Sequence, residues 1–275
     1  MTDSLFRSKA LRALARKLRA VRPKRAGPPA YSAVVALVFA LMVVDLLVLG
    51  LLFLDPVGFS ALGTWSLGTI WIFTVVTWFG MAGVYLLPVG AMLLIGLFVP
   101  VEAPRRVAAA LHILWLRLLF FFTAVAGTGL FVTVLKRPIG RLRPHHLDGS
   151  AILQFDPLSW KASAASFPSG HSTTAWCVAV ALGLLLGRRS WPPLAVLAVL
   201  ICLSRVVLGA HFISDVVAGG LCGGLGTIWF ARFLARKGLV FCISTGGALA
   251  LRGSGAAKTV RAWLLSDKAK ARDCA

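Results

Sequence analysis

Long, predominantly apolar runs are the feature that most restricts what this chain can fold into. An α-helix needs about 20 apolar residues to cross the hydrocarbon core of a bilayer. Six runs reach or approach that length: 33–54, 82–100, 111–135, 171–187, 191–208 and 212–231. Hydrophobic residues make up 59% of the 275 residues, against roughly 45–50% in soluble domains. The sequence therefore predicts an all-α, polytopic membrane bundle of six transmembrane helices and excludes an ordinary water-soluble domain.

The basic residues indicate which helix ends face the cytoplasm. Lys and Arg total 29 against 9 Asp and Glu, and nine of the basic residues lie in 7–25 and another nine in 232–272. The connections that contain Arg105 and Arg188 are basic as well. Because Lys and Arg accumulate on the cytoplasmic side of a membrane, both termini are predicted to be cytoplasmic. A nucleic-acid partner is not expected, since the charge flanks membrane spans rather than covering an aqueous domain.

These patterns divide the chain into three predicted parts: a basic amphipathic cytoplasmic arm (1–30), a membrane domain (31–235) and a basic cytoplasmic tail (236–275). In the arm, Leu11, Leu14 and Leu18 recur at helical spacing among basic residues, which favours a helix lying on an anionic lipid surface. A solvated basic tail is the alternative. The Trp-rich segment 67–80 is predicted to form an interfacial helix, because Trp favours the headgroup boundary.

Polar residues concentrate in three short segments, which are KRPIGRLRP at 136–144, FPSGHS at 167–172 and SRVVLGAHFISD at 204–215. Under the predicted topology each segment lies at the outer end of a helix, so the three meet at one face. Lys136, Arg143 and Arg205 supply the permanent positive charge that suits a phosphate group. Ser169 is placed to cap a helix whose first N–H groups, at Gly170 and beyond, favour an anion.

Two histidines lie in these segments, and spacing gives them different expected roles. Asp215 follows His211 at i+4, one helical turn away if the last span begins near Ala210. Asp215 would then orient one ring nitrogen and leave the other as a nucleophile. His171 has no carboxylate nearby in sequence and suits proton donation to a leaving group. The carboxylates are too scattered to hold a divalent metal, so no metal or other cofactor is expected.

The three segments match the patterns K-x6-R-P, P-S-G-H and S-R-x5-H-x3-D. They resemble the signature motifs of the type 2 phosphatidic acid phosphatase and vanadium haloperoxidase superfamily, over about residues 60–235. The resemblance implies the helical bundle of its integral-membrane lipid phosphatase branch and a phosphohistidine intermediate. By the family pattern His211 attacks, Asp215 orients it and His171 is the acid. The residues expected to hold the phosphate are Lys136, Arg143, Ser169, Gly170 and Arg205.

The resemblance does not name a substrate. We expect a membrane lipid phosphatase in a bacterial inner membrane, with its site facing the periplasm, that hydrolyses phosphatidic acid, phosphatidylglycerophosphate, undecaprenyl pyrophosphate or a lipid A phosphate. The alternatives are a phosphotransferase between lipids and an anionic-lipid transporter without phosphatase chemistry. The transporter does not account for the spacing of His211 and Asp215. Arg141, His145 and His146 lie in the predicted outer loop and are candidates for contacting a second phosphate or a sugar, or are solvated there.

Overall fold

The computed structural model describes residues 33–98, 103–147, 152–244, 247–253 and 255–273. The predicted arm at 1–30 lies outside this part of the chain. Most of the described residues are helical, as the sequence predicts. The main helices are α1 (Ala33–Leu49), α2 (Asp55–Ser60), α3 (Leu67–Thr77), α4 (Ala82–Phe98), α5 (Arg105–Ile139), α6 (Gly170–Leu186), α7 (Trp191–Val207), α8 (Ile213–Arg236) and α9 (Ala256–Asp273).

Short irregular helices connect several of these elements. A π-helical segment, Gly50–Leu54, joins α1 to α2. A 3-10 turn, Trp78–Gly80, lies between α3 and α4. Three further 3-10 turns are Pro144–His146, Ala162–Ala164 and Arg188–Ser190. The segment 67–80, predicted as one interfacial helix, is thus helical, and its position relative to a bilayer stays a prediction.

Five helical stretches of the described chain are long and apolar enough to cross a membrane: Ala40–Ser60, Leu67–Phe98, Arg105–Ile139, Arg188–Val207 and Ile213–Arg236. The remaining predicted span corresponds to α6, which is apolar but has 17 residues. At 1.5 Å per residue α6 is about 25 Å long, slightly less than a typical hydrocarbon core of about 30 Å. The polytopic helical class is confirmed, whereas the count of six spans and the cytoplasmic termini stay predictions.

A small β-hairpin departs from the all-α expectation. β1 (Phe241–Ile243) pairs antiparallel with β2 (Leu249–Leu251), with Phe241 opposite Leu251. The backbone N–H of Ser244 also donates to Ala248 O at 2.9 Å. Three-residue strands are too short to produce a clear alternation of apolar and polar residues, which explains why sequence periodicity did not indicate them.

The described residues form two compact units, and α4, α5 and α8 contribute to both. One unit contains residues 87–122 and those from 230 onward, apart from the gaps given above. Its interior centres on Phe120, whose ring stacks on Phe230 and meets Phe241 edge to face at a centroid distance of 4.9 Å. In the same unit Arg117 donates from one guanidinium nitrogen to the carbonyls of Arg252 and Gly253, both at 2.7 Å. These bonds give acceptors to one nitrogen of a charged side chain within a candidate span.

The second unit contains residues 33–86 and 123–229 and carries all three polar segments of the sequence. Its core lies between α6 and α7, where Ala175, Ala179, Ala198 and Ile201 are buried together. Small residues also bring α8 against α6: a β-carbon on Gly219 would lie 2.3 Å from Ser169 O, and one on Gly223 would lie 2.1 Å from Thr173 O. Such close backbone packing needs glycine at both positions, and it fixes the beginnings of α6 and α8 beside each other.

Candidate active site

Two loops of the second unit pair with each other and hold Arg143. The N–H of Asp156 donates to Gly140 O at 2.7 Å, and the N–H of Arg143 donates to Ser163 O at 2.9 Å. Gly140 has a φ of +63°, and a β-carbon there would lie 1.9 Å from Asp156 O. Glycine is therefore required at this crossing for both reasons. The pairing carries Arg143 from the end of α5 towards the beginning of α6.

The beginning of α6 is a helix N-terminus capped as the sequence predicts. Ser169 is the N-cap residue, and its Oγ accepts a hydrogen bond from the Ser172 N–H at 3.5 Å. The Ser169 N–H donates to Asp215 O at 2.9 Å, which ties the N-terminus of α6 to the first turn of α8. A β-carbon on Gly170 would lie 4.0 Å from Nζ of Lys136. The amine of Lys136 thus lies close to the N-terminus of α6, and a helix N-terminus favours an anion.

Three cationic side chains converge here with donors left over. Lys136 Nζ donates to Ala165 O at 3.0 Å, and Arg205 donates from NH1 to Thr77 Oγ1 at 2.7 Å. The Nε atoms of Arg143 and Arg205 are buried, and neither has a hydrogen-bond partner within the part of the chain that the structure describes. A ligand or an ordered water satisfies a buried donor of this kind, and in this cluster the donors lie beside a third cation and a helix N-terminus. The cluster is suited to a phosphate group, whose oxygens accept from several directions.

His211 is buried, with 3% of its surface exposed, and faces a carboxylate through a serine hydroxyl. Its Nδ1 lies 3.7 Å from Asp215 Oδ2, which is longer than an ordinary hydrogen bond. The Oγ of Ser166 lies 3.4 Å from the same nitrogen and donates to Asp215 Oδ2 at 2.5 Å. Ser166 therefore bridges the histidine and the aspartate, and the pair predicted from the i+4 spacing is in fact a group of three.

The electrostatic surroundings keep the imidazole of His211 neutral. Burial lowers its pKa to about 4, the nearby Asp215 acts to raise that pKa, and the positive charges of Lys136 and Arg205 lower it again. A neutral imidazole has a ring nitrogen with a lone pair, as a nucleophile needs. Burial also lowers the pKa of Arg143, opposed by the charge of Asp215, but an arginine keeps its proton at any physiological pH.

The helix of the last predicted span, α8, begins later than the sequence indicated. α8 begins at Ile213 rather than near Ala210, so His211 precedes the helix instead of occupying its first turn. The reason lies in Asp215, whose Oδ2 accepts the Phe212 N–H at 2.9 Å. A carboxylate that reaches back to the residue before the first helical one is half of a capping box. It anchors the helix start and holds the Asp215 side chain beside His211.

His171, the expected proton donor, lies in the first turn of α6 and is half-buried. Its ring packs on Gly80, since a β-carbon on Gly80 would lie 2.8 Å from Cδ2 of the imidazole. His171 also lies close to four other groups of the cluster, namely Arg205, His211, Lys136 and Arg143, and positive charge on them acts against its protonation. The negative charge of a bound phosphate has to offset them before His171 can donate a proton. The structure thus brings together every residue that the sequence placed in the catalytic and phosphate-holding sets.

The three residues expected to contact substrate from the loop lie in different surroundings. Arg141 is 1% exposed, and its guanidinium donates to Asp55, Ser214 and Asp215. It faces inward, so the expectation that Arg141 contacts a second phosphate or sugar is corrected: its donors are directed at buried carboxylates. His145 and His146 are exposed, with ring centroids 4.2 Å apart, and Nδ1 of His145 lies 2.8 Å from Gly209 O. For them substrate contact stays a prediction.

Sequence reasoning missed four residues of this region: Asp55, Thr77, Ser166 and Ser214. Each reaches the site through a contact with a residue far away in sequence, which no local pattern reveals. One signal was available for Ser166, because it lies directly before the FPSGHS segment in a chain where polar residues are rare. Asp55 offered another, since an acidic residue follows a long apolar run at that point.

The sequence is similar to a known protein family and to several characterised phosphatases. Residues 117–239 match the family model described as the PAP2 superfamily, which confirms the resemblance of the three segments for that stretch of the chain. A lipid A 1-phosphatase of Rhizobium etli is 39% identical over 146 residues, which cover 53% of this chain and 62% of that protein. A decaprenylphosphoryl-5-phosphoribose phosphatase of Mycobacterium tuberculosis is 40% identical over 101 residues, covering 34% of this chain and 51% of that one.

The chain thus spans less than two thirds of the length of these relatives. Among solved structures, a PAP2-type phosphatidylglycerolphosphate phosphatase from Bacillus subtilis aligns with a TM-score of 0.48 and 24% identity, covering 70% of this chain and 94% of that one. Apolar helices and membrane phosphatase relatives together identify the chain as an integral membrane protein.

Proposed function

We propose that this chain with a PAP2-superfamily segment is a lipid phosphatase that hydrolyses a phosphate ester of a membrane lipid through a phosphohistidine intermediate. One observation carries the proposal. A neutral, buried imidazole at His211 lies in the same cluster as three cations and a capped helix N-terminus, and two of the cations retain buried unpaired donors within the described chain. A phosphate bound there is adjacent to a nucleophile.

In the proposed reaction the phosphate is held by Lys136, Arg143 and Arg205 and by the N–H groups at the beginning of α6. Ser166 and Asp215 direct Nδ1 of His211, so Nε2 is the nitrogen that attacks phosphorus. The N–P bond forms as the bond to the lipid oxygen breaks, and His171 gives that oxygen a proton. Water then attacks the phosphohistidine with His171 as the base, releasing inorganic phosphate. Fixed cations stabilise the charge on the phosphoryl oxygens, so we propose that no metal is needed.

For the substrate we propose the 1-phosphate of lipid A as the first candidate. The support is the similarity to the lipid A 1-phosphatases of Rhizobium etli and Rhizobium johnstonii, which are 39% and 38% identical over 146 residues. The matched stretch covers 53% of this chain. The order of the candidate substrates rests on these relatives, whereas the proposed reaction rests on the geometry of the site. The other candidates are the phosphates of phosphatidylglycerophosphate, phosphatidic acid and undecaprenyl pyrophosphate, and the 4'-phosphate of lipid A.

The test is release of inorganic phosphate from each of these lipids by purified protein in detergent with EDTA present. We expect release that is fastest from the lipid A 1-phosphate and lost in His211→Ala. His112→Ala is the matched control, since His112 belongs to neither the catalytic nor the phosphate-holding set, and it should keep the wild-type rate. No release from any lipid would contradict hydrolysis. Transfer of a radiolabelled phosphoryl group to a second lipid would identify a phosphotransferase instead.

We also propose that the site faces the periplasm of a bacterial inner membrane. The support is the positive-inside pattern, because the basic turn Arg188–Ser190 lies at the opposite end of α6 from the site. In a protein whose native cysteines are replaced by serine, Ala162→Cys and Ser190→Cys place single thiols before and after α6. Each thiol reports which side of the membrane its end of α6 faces. A membrane-impermeant thiol reagent on intact cells should label Ala162→Cys and not Ser190→Cys. The reverse labelling would place the site in the cytoplasm.

A further inference from the structure

A second carboxylate lies behind Asp215, and it comes from outside the segment that matches the superfamily. Asp55 is the first residue of α2, has no exposed surface, and precedes the matched residues 117–239. Its Oδ2 accepts a hydrogen bond from NH2 of Arg141 at 2.8 Å. A fully buried carboxylate destabilises a protein unless it is paired with a positive charge. Arg141 supplies that positive charge for Asp55.

Arg141 joins the two carboxylates. Its NH1 donates to Asp215 Oδ1 at 2.6 Å while its NH2 donates to Asp55. The guanidinium also packs on the face of Phe212, with Cζ 4.1 Å from the ring centroid. Phe212 follows His211 directly in the chain. The Arg141 side chain therefore contacts both Asp215, which orients the nucleophile, and the residue next to the nucleophile.

Asp55 additionally fixes the first turn of α8. Its Oδ1 accepts the Ser214 N–H at 2.8 Å, and its Oδ2 accepts the Ser214 hydroxyl at 2.6 Å. That hydroxyl in turn accepts from Arg141 NH1 at 2.7 Å. A carboxylate that binds an N–H of the first helical turn stabilises the helix N-terminus. Asp55 thus caps, from a distant part of the chain, the turn that carries Asp215.

The charges of this group matter for His211. Asp55, Arg141 and Asp215 together carry one net negative charge, and all three are at most 1% exposed. If Asp55 lost its negative charge, the positive charge of Arg141 would no longer be shared between two carboxylates and would neutralise that of Asp215. Asp215 would then attract the positive charge that develops on the imidazole during attack less strongly. Charges interact over a few ångströms much more strongly in a protein interior than in water.

We propose that Asp55 is a positioning residue for the reaction at His211. Asp55 balances the charge of Arg141 and caps α8. Asp215 thereby keeps its negative charge and its place beside the nucleophile. This inference rests on the proposed hydrolysis. It assigns to a residue outside the matched segment a role in the chemical step, without contact with the substrate. Lys136 and Arg205 hydrogen-bond to Ala165 and Thr77 in the described part of the chain, not to Asp55 or Arg141.

The experiment compares Asp55→Asn, Arg141→Met and the double variant with wild type in the phosphate-release assay. Asp156→Asn is the matched control, because it makes the same chemical change at an exposed loop residue. For Asp55→Asn we expect kcat to fall about tenfold with KM within twofold of wild type, since the substrate-holding groups are intact. For the double variant we expect a loss at least about fivefold smaller than the product of the two single losses, because removing both charges together leaves Asp215 charged.

Three results would overturn the inference: a wild-type kcat in Asp55→Asn, single losses that multiply in the double variant, or an increase in KM alone. If Asp55→Asn does not purify as a folded protein, the comparison between Arg141→Met and the double variant decides. Greater activity in the double variant supports charge balance, and equal or lower activity contradicts it. A wild-type protein that releases no phosphate would instead contradict the proposed function, so the two failures are distinguishable.

Discussion

Gly80 lies directly against His171: a β-carbon on Gly80 would be 2.8 Å from Cδ2 of the imidazole and 2.8 Å from Cγ2 of Ile201. Contacts this short force the imidazole to move. For Gly80→Ala we therefore expect phosphate release to slow by about tenfold or more, because the proton donor leaves its position.

Gly83→Ala is the control for this change, since a β-carbon on Gly83 has no heavy atom within 4 Å. Steady-state rates of the two variants, with the melting temperature of each in detergent, make the comparison. Equal rates in Gly80→Ala and wild type would show that the position of His171 does not limit the reaction.

The packing of α8 on α6 gives a second prediction. A β-carbon on Gly219 would lie 2.3 Å from Ser169 O, so Gly219→Ala must separate the two helix N-termini that carry the site. We expect a lower melting temperature and loss of most activity. Gly224→Ala should be tolerated in both measurements, because its nearest heavy atom, Cγ2 of Val180, would lie 3.8 Å away. Similar behaviour of the two variants would contradict this packing.

Ser166 gives a third prediction because its hydroxyl bridges His211 and Asp215. In Ser166→Ala the imidazole loses its nearest polar partner and Asp215 loses a hydrogen bond of 2.5 Å. We expect kcat to fall about tenfold while affinity for vanadate, an analogue of the phosphoryl group, changes little. Ser163→Ala, in the same loop, should leave both unchanged. Weaker vanadate binding with an unchanged kcat would assign Ser166 to the phosphate instead.

The pH profile gives a fourth prediction. Only neutral imidazole attacks, so the rate falls as the pH drops below the pKa of His211. Because burial lowers that pKa to about 4, the acid side of the kcat/KM profile should lie well below the ordinary histidine value of about 6.5.

We expect little loss from His211 protonation between pH 7 and pH 5, once kcat/KM is corrected for the second ionisation of the substrate phosphate, measured by its 31P shift. Lys136→Met removes one of the charges that lower the pKa of His211, so the acid limb of this variant should move to higher pH. A limb near pH 6.5 in the wild type would contradict a neutral, buried nucleophile.

The helices and the assembly of the site could be predicted from the sequence for a physical reason. Apolar runs of membrane length fold into helices, and polar residues that end those runs collect at one face. The sequence therefore predicts that His171, Arg205 and His211 lie together. The bridge from Ser166 and the charge group of Asp55 and Arg141 depend on contacts between distant loops, which hydrophobic periodicity does not contain.

Two other differences have local causes. The start of α8 was misplaced by three residues because the bond from Phe212 N–H to Asp215 Oδ2 sets the helix boundary, and a carboxylate can cap at several spacings. Arg141 lies in the predicted outer loop and has no position in the three motifs, so the sequence predicts contact with a second phosphate or a sugar, or a solvated side chain. Burial of its guanidinium between two carboxylates depends on Asp55, which lies 86 residues earlier.

The central claim, a covalent intermediate on His211, is tested most directly by trapping it. Wild type, His211→Ala and Asp156→Asn are mixed with lipid A labelled with 32P at its 1-phosphate, quenched in alkali within one turnover and separated from lipid. A phosphoramidate survives alkali and is cleaved by acid. We predict acid-labile label on wild type and Asp156→Asn and none on His211→Ala. Phosphate release by wild type without labelled protein, or equal labelling of His211→Ala, would contradict the account.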